Sequence, residues 1–332
     1  MSLPVTFDDV LAAQPRVRSV LRATPLLEWP GLSERLGCEF WLKHENHQPV
    51  GAFKVRGGLT YLDALTRRKS DVSGIISATR GNHGQSLALA GMHFGVPVTI
   101  VVPEGNSVEK NAAMRAYGAE LIEHGADFEA AASHALELAG ARGLERVPSF
   151  HRDLVLGVST YGLELLKQHS DLDTLYVPIG LGSGICGCIQ ARDLLGLKTE
   201  IVGVQAAGAP SYALSFEAGH AVETPAAQTF ADGVATRVPD PEALDMILKG
   251  ATRVVIVDEQ EIADAVRHYW QKTHNLAEGA GAVPLAAALK EKSLNMGRKV
   301  GLILSGGNID LDLFAERIIV GAHKAGSEER AA

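Results

Sequence analysis

Lys54 is the residue of this sequence with the clearest potential for covalent chemistry. It follows Pro49 and Gly51, which interrupt regular structure, and it precedes a leucine-rich segment with helical spacing. The spacing therefore predicts that its amine lies at the N-terminus of a helix. Apolar neighbours and the positive end of the helix dipole both disfavour the charged form, so we expect a lowered pKa. A neutral lysine can form an imine with an aldehyde. The alternative is an ordinary lysine whose amine reaches solvent from the first helical turn.

A glycine-rich loop, Gly180-Leu181-Gly182-Ser183-Gly184, lies between a predicted strand and a predicted helix. Clustered glycines let successive backbone N–H groups converge on an anion, and the helix dipole adds to the attraction, so a phosphate is the expected ligand. Gly182, Gly184 and Gly187 also match G-x-G-x-x-G, which would predict nicotinamide or flavin binding. That interpretation requires an acidic residue after the next strand, where this chain has Gln205. A purely structural glycine turn is the other alternative.

Two further polar loops follow predicted strands. The first, Thr79-Arg80-Gly81-Asn82-His83, combines backbone amides at a helix start with hydroxyl, guanidinium and amide side chains. This combination suits a carboxylate or a polar ring substituent. In the second loop, Ser305 follows the last predicted strand and offers a neutral hydroxyl. The alternatives are a helix-capping cluster for the first loop and a simple polar turn for the second.

The composition is that of a globular enzyme. The chain has 332 residues, 46% of them hydrophobic and 21% charged, with a net charge of −8. This charge argues against nucleic acid or an anionic membrane as a partner. The first residues do not resemble a signal peptide, and no apolar run is long enough to span a bilayer. The 3 cysteines do not suggest a disulfide framework, so we expect a cytoplasmic protein.

Short β-branched runs alternate with helical patterns, beginning with a strand at 74–78 and a helix at 85–94. Further strands are predicted at 96–102, 120–122, 174–179, 200–204, 253–257 and 300–304, and further helices at 108–117, 128–139, 185–195, 260–274 and 311–320. The alternation predicts an α/β protein with mostly parallel sheets. Sheets of this kind bind ligands beyond the carboxyl ends of their strands, which is where the three polar loops lie.

Taken together, the motifs resemble those of the fold-type II pyridoxal-phosphate enzymes, specifically the threonine and serine dehydratase group that includes serine racemase. Ala-Phe-Lys after Gln-Pro-x-Gly, then Gly-Asn-His-Gly-Gln, the glycine-rich loop and Ser-Gly-Gly-Asn occur in this order over about 24–320. The resemblance implies two open, twisted parallel-sheet domains, as in the tryptophan synthase β subunit, with the cofactor between them. The large domain would contain 1–50 and 155–323, and the small domain 51–154. The tail, 324–332, is predicted to be disordered.

The resemblance also implies a role for each site residue. Lys54 would bind pyridoxal 5'-phosphate as an imine, with Phe53 beside the ring, and the loop from Gly180 to Gly184 would bind the phosphate. Asn82 would contact the ring 3-hydroxyl, and Ser305 the pyridine nitrogen. The residues expected to contact the substrate are Thr79, Arg80, Gly81, His83 and Gly233.

The implied reaction is the conversion of a β-hydroxy amino acid, by default L-threonine or L-serine, to a 2-oxo acid and ammonia. Lys54 would remove the α-proton, and Ser305, unlike an aspartate, would not hold a charged pyridinium, which favours prompt β-elimination. Arg80 stands where the family often has Ser or Ala, so racemisation should be poor and an acidic or unusual substrate would suit its guanidinium. The alternative substrates are 3-hydroxyaspartate, phenylserine and a hydroxyectoine-derived compound. A β-replacement enzyme and a non-catalytic binding protein are the more distant alternatives.

Three further expectations concern ligands and assembly. Some relatives hold a divalent ion with acidic ligands where this chain has Gln205, Ala209 and Ser211, so no metal is expected. Glu278 lies in a Glu-Gly-Ala-Gly-Ala segment that resembles a family segment near the ring, but the sequence gives it no firm role. A homodimer is implied by the resemblance alone.

Overall fold

Two separate sheets form the framework of the protein in the computed structural model, which describes residues 5–320. The strands are β1 (Leu26–Glu28), β2 (Glu39–His44), β3 (Ile75–Ala78), β4 (Val98–Val102), β5 (Glu120–Glu123), β6 (Glu145–Arg146), β7 (Thr174–Pro178), β8 (Glu200–Ala206), β9 (Arg253–Val257) and β10 (Lys299–Leu304). The larger sheet has the order β1-β2-β10-β7-β8-β9, and the smaller sheet has the order β5-β4-β3-β6. Among the strands of residues 5–320, only β1 is antiparallel to its neighbour, so the prediction of α/β architecture with mostly parallel sheets is confirmed.

The helices connect these strands. They are α1 (Phe7–Arg18), α2 (Pro30–Leu36), α3 (Val55–Arg68), α4 (Asn82–Phe94), α5 (Val108–Ala116), α6 (Phe128–Arg142), α7 (Arg152–Gln168), α8 (Ser183–Leu194), α9 (Ser211–Ala218), α10 (Pro241–Gly250), α11 (Glu259–Thr273), α12 (Gly279–Lys290), α13 (Lys292–Asn295) and α14 (Leu311–Phe314). No helix within residues 5–320 has the length and apolar character needed to cross a membrane.

Each sheet is covered by apolar side chains on both faces. On β7, Leu175 and Val177 belong to one hydrophobic cluster, whereas Tyr176 belongs to another. On β4, Ile100 and Val101 divide in the same way between two clusters. This burial on both faces explains why the strands are continuous apolar runs rather than alternating ones. It also leaves the polar loops at the strand ends as the places where chemistry can occur.

The strands that the sequence predicted lie close to observed ones, but β1, β2 and β6 and the helices α1, α2, α7, α9, α10, α12 and α13 were not predicted. Some helix boundaries also differ. α4 begins at Asn82 and α8 at Ser183, each earlier than predicted, so polar loop residues form the first helical turns. The segment predicted as a helix at 311–320 is α14 followed by a π-helix, Ala315–Val320. The Arg267 guanidinium donates to the carbonyl oxygens of Arg317 and Ile318, and this tertiary contact holds carbonyls that an α-helix would use internally.

The domain limits taken from the resemblance remain a prediction. All four strands of the smaller sheet fall within 51–154, and the boundary after 154 lies in the first turn of α7. The predicted disordered tail, 324–332, lies outside the described residues.

Candidate functional site

The carboxyl ends of β3, β7 and β10 meet at one cavity of about 480 Å³. Every residue for which the sequence predicted a cofactor or substrate contact lines it. These residues are Phe53, Lys54, Thr79, Arg80, Gly81, Asn82, His83, Gly180, Leu181, Gly182, Ser183, Gly184, Gly233 and Ser305. The tertiary structure therefore brings together the four segments that the sequence singled out. The role of each residue remains a proposal.

Lys54 is the residue immediately before α3, and its side chain does not cap the helix. Its Nζ lies 5.2 Å from the centroid of the Phe53 ring, and its carbonyl oxygen accepts a hydrogen bond from Ser86 Oγ at 2.6 Å. Burial lowers the pKa of Lys54 to about 8, although the carboxylate of Glu278 opposes the shift. The direction agrees with the sequence prediction, and the main cause is loss of hydration around the ammonium. A substantial share of this amine is therefore neutral at mildly alkaline pH.

The glycine-rich loop has the geometry of an anion cradle. Gly182 precedes α8 with φ of 101°, a left-handed conformation that glycine adopts without strain. A side chain at Gly182 would lie 2.7 Å from Cβ of Ala243, so the loop also packs too closely for a larger residue. The hydroxyl of Tyr212 fixes the loop by donating to the Leu181 carbonyl at 3.0 Å. Because the first amides of a helix lack partners within the helix, the N–H groups at the start of α8 can bind a phosphate.

The first turn of α4 presents a second set of backbone amides. Thr79 Oγ1 accepts a hydrogen bond from the Gly81 N–H at 3.1 Å, which fixes the loop between β3 and the helix. His83 is buried, and burial together with the nearby Lys54 amine lowers the pKa of its imidazole to about 3. Its Nε2 has no hydrogen-bond partner within residues 5–320. His83 is therefore neutral and adds no positive charge to the loop. The backbone amides at the start of α4 are the groups suited to bind a carboxylate.

Ser305 occupies the position directly after β10 and is 3% exposed. The next residue, Gly306, forms an isolated antiparallel bridge with Ala52. This bridge joins the end of β10 to the segment that carries the lysine. The hydroxyl of Ser305 is neutral and lines the same cavity as the Lys54 amine. No carboxylate stands at this position.

The cavity lining also includes Lys110, Glu129 and Arg237, charged residues that the sequence reasoning missed. Lys110 is buried, and its Nζ lies 2.5 Å from Asp232 Oδ2 and 3.9 Å from Glu278 Oε2. Burial opposes the charge on Lys110, but the Asp232 and Glu278 carboxylates outweigh it and raise the pKa. At another part of the cavity lining, Arg237 forms an ion pair with Glu129 at 3.0 Å. No local motif marks these residues, because each pair joins segments more than a hundred positions apart.

Gln205 and Ser211 stand where some relatives would have metal ligands, and both form hydrogen bonds within the protein. Gln205 Oε1 accepts from the Ala213 N–H at 2.9 Å, and Ser211 Oγ donates to the Thr236 carbonyl at 2.7 Å. The expected absence of a metal remains a prediction.

The residues in the cavity fit pyridoxal phosphate. The partly neutral lysine can join its aldehyde, and the amides at the start of α8 can bind its phosphate. Two buried polar atoms, Nε2 of His83 and Oε2 of Glu278, have no hydrogen-bond partner within residues 5–320. The dinucleotide interpretation of the glycine motif is not supported. Gln205, where that fold needs a carboxylate for the ribose, is fully buried and bonded to the backbone.

Comparisons with known proteins agree with this assignment. The family model described as pyridoxal-phosphate dependent enzyme matches residues 17–306. An L-threonine ammonia-lyase of Geobacter sulfurreducens is 38% identical over 324 residues, which is 96% of this chain and 80% of that protein. An L-threo-3-hydroxyaspartate ammonia-lyase of Saccharomyces cerevisiae is 33% identical over 314 residues, covering 94% and 96% of the two chains.

Solved structures give the same result. The processed form of threonine deaminase isoform 2 from Solanum lycopersicum superposes with a TM-score of 0.86 at 31% identity, covering 96% of this chain and 94% of that one. Maize serine racemase superposes with a TM-score of 0.89 at 27% identity, covering 98% and 100%. The chain therefore belongs to the fold-type II pyridoxal-phosphate dependent enzymes, in the group of the threonine and serine dehydratases.

Proposed function

We propose that this protein is an ammonia-lyase that converts a β-hydroxy amino acid to a 2-oxo acid and ammonia. The observation that carries the proposal is the presence of the Lys54 amine, with its lowered pKa, in one cavity with a neutral Ser305 and a glycine cradle. When bound, pyridoxal phosphate supplies an aldehyde for the substrate amine and an electron-withdrawing ring that acidifies the α-hydrogen.

The chain's own residues then perform the remaining tasks. The amides at the start of α4 hold the substrate carboxylate, which orients the α-hydrogen toward Lys54. The Lys54 Nζ accepts the α-proton, a task that its pKa of about 8 suits. Ser305 would place a hydroxyl rather than a carboxylate beside the ring nitrogen, so no carboxylate at this position would hold a charged pyridinium, which would favour prompt departure of the β-hydroxyl.

L-Threonine and L-serine are the default substrates, and the Geobacter sulfurreducens relative named L-threonine ammonia-lyase supports them. The second candidate is 3-hydroxyaspartate. Arg80 favours it, because this exposed side chain lines the cavity and its planar guanidinium can bind a second carboxylate in a bidentate manner. The yeast relative of almost the same length, named for that substrate, supports the same alternative.

The direct test is to load purified protein with pyridoxal phosphate and measure 2-oxo acid and ammonia from L-threonine, L-serine and L-threo-3-hydroxyaspartate. We expect turnover of at least one of them and none by Lys54→Ala loaded in the same way. Absence of ammonia from all three would refute the lyase proposal. Product that appears only when a thiol is added would indicate β-replacement instead, and cofactor binding without any turnover would indicate a binding protein.

We further propose that the protein acts as a cytoplasmic homodimer. Three unpaired, buried cysteines suit a reducing compartment. Exposed apolar side chains, including Trp270 at 53% and Leu311 at 69%, offer surface for a second copy. Light scattering after gel filtration should give twice the mass of 35.2 kDa, and a monomer at micromolar concentration would contradict the dimer.

A further inference from the structure

Glu278 contacts a residue of the cofactor site directly, although its position in the chain is remote. Its Oε1 accepts a hydrogen bond from Asn82 Nδ2 at 2.7 Å, across 196 positions of sequence. Glu278 directly precedes α12, but its side chain does not cap that helix. The carboxylate instead reaches the first residue of α4. Only 3% of the Glu278 side chain is exposed.

Asn82 is held from its other side as well. Asn308 Nδ2 donates to Asn82 Oδ1 at 2.8 Å and also to the Val50 carbonyl at 2.8 Å, so the Asn308 amide has one orientation. A rotated Asn82 amide would set its oxygen against the Glu278 carboxylate and its NH₂ against the NH₂ of Asn308. Both contacts would be repulsive, so the two partners select the same orientation. One N–H of Asn82 Nδ2 is used by Glu278, and within residues 5–320 the second has no acceptor, which leaves it for a ligand.

The backbone next to Glu278 leaves space for its carboxylate. The Glu278 N–H donates to the Gly306 carbonyl at 3.1 Å, which ties this residue to the loop after Ser305. A Cβ at Gly306 would collide with Glu278 Oε1. Gly306 therefore leaves the space in which the carboxylate approaches Asn82, and a larger residue there would require the carboxylate to shift.

We infer that Glu278 is a positioning residue, which fixes the Asn82 amide so that its free N–H points to the 3-hydroxyl oxygen of pyridoxal phosphate. The inference rests on the ring contact proposed for Asn82, but not on which amino acid is the substrate. Burial raises the pKa of Glu278 to about 7, although the Lys110 ammonium opposes the shift. Above that pH the ionised carboxylate accepts a charge-assisted hydrogen bond, which is stronger than a neutral one and suited to hold a side chain in place. Lys54 and Lys110 carry the nearby positive charge, and Asp232 the nearby negative charge.

The test measures cofactor binding without any substrate. Apoprotein is titrated with pyridoxal phosphate, with tryptophan fluorescence as the signal, and the absorption spectrum of the loaded protein is recorded. Loss of one such hydrogen bond should weaken binding by about tenfold in Glu278→Ala and in Asn82→Ala, with altered absorption in both. Glu278→Gln keeps an acceptor at the same place and should stay within about threefold of the natural protein.

A double-mutant cycle separates positioning from a general structural effect. If Glu278 acts through Asn82, the double variant should bind no more weakly than Asn82→Ala alone. Asn308→Asp would present an acceptor to Asn82 Oδ1 and should reproduce the spectral change while Glu278 is intact. Because this variant keeps the Glu278 carboxylate, it tests the inference even if Glu278→Ala does not fold. Glu129→Gln, which neutralises another carboxylate that lines the cavity, is the matched control and should bind normally.

Natural affinity and absorption in Glu278→Ala, or additive losses in the double variant, would overturn the inference. Failure of the proposed lyase reaction would give a different result. Cofactor binding would still change in these variants, but the natural protein would release no ammonia from any amino acid.

Discussion

The backbone N–H of Phe53 donates a hydrogen bond to the carbonyl oxygen of Ser305, 3.0 Å away. This bond joins Phe53, which precedes Lys54, to Ser305, which we propose faces the ring nitrogen. The bridge between Ala52 and Gly306 extends the same connection. The two main-chain segments that carry the amine and the hydroxyl are thus held together by backbone hydrogen bonds. Geometry of this kind is what a cofactor bound at both ends requires.

Replacing Ser305 by Asp should change the fate of the deprotonated substrate. A carboxylate beside the ring nitrogen would hold a charged pyridinium, which stabilises a carbanion and slows expulsion of the β-hydroxyl. We expect ammonia release to fall by about tenfold or more, while exchange of the α-hydrogen with solvent deuterium rises. Ser305→Thr keeps the hydroxyl and is the control. Unchanged elimination in Ser305→Asp would contradict the role of this residue.

The pKa of Lys54 predicts how fast apoprotein captures its cofactor at different pH. Only the neutral amine attacks an aldehyde, and burial lowers the pKa of Lys54 to about 8. The second-order rate of incorporation, followed by absorbance in a stopped-flow instrument, should therefore rise with pH and level off above about 8. For an ordinary lysine it would continue to rise toward pH 10. Lys54→Ala should show no covalent incorporation after borohydride reduction.

Arg80→Ala tests the substrate preference. If the guanidinium binds a second carboxylate, kcat/KM for L-threo-3-hydroxyaspartate should fall by about tenfold to a hundredfold, because a charged hydrogen-bonded pair is lost. The value for L-threonine should change by less than about threefold. Arg80→Lys keeps the charge without the planar fork and should give an intermediate result. Equal losses for both substrates would show that Arg80 has no part in this discrimination.

Arg56 should contribute strongly to stability. Its fully buried guanidinium contacts Glu45 and Glu164, each through two hydrogen bonds. Burial disfavours its charge, but the two carboxylates outweigh this effect and raise the pKa of Arg56. Arg56→Leu leaves both carboxylates without this partner and should lower the free energy of unfolding in urea by about 3 to 5 kcal/mol.

Arg67→Leu is the matched control for that substitution, since it also lies on α3 and removes an arginine. Its side chain is 56% exposed, and its partner Asp63, 2.9 Å away, also pairs with Arg16, so the expected loss is below about 1 kcal/mol. Similar losses of unfolding free energy in the two variants would mean that burial of the Arg56 network does not add to stability.

Gly180 should be required for the shape of the phosphate loop. A Cβ at this position would collide with the carbonyl oxygen of Gly233. Gly180→Ala should therefore displace the loop and weaken binding of pyridoxal phosphate by about tenfold or more, measured by equilibrium dialysis. Gly140→Ala is the control, because its added methyl group would meet nothing within 4 Å. Normal affinity in Gly180→Ala would show that the loop adapts without cost.

The sequence alone determined the α/β class, the mostly parallel sheets and the loops that form the site. These features are local: alternation of strand and helix appears in the spacing of apolar residues, and glycines or a lysine beside a turn can be recognised from a few neighbours. The rule that ligands bind beyond the carboxyl ends of parallel strands then placed Asn82, Gly182 and Ser305 on the same side.

Only the tertiary structure decided which side chains support those residues. The carboxylate of Glu278 meets Asn82, and the amine of Lys110 meets Asp232, through bonds that join distant segments. Such pairs leave no periodic trace in the sequence, because nothing in the neighbourhood of either residue specifies its partner. Burial decided the chemistry of Lys54 as well, since the size of its pKa shift depends on how much water the folded chain excludes.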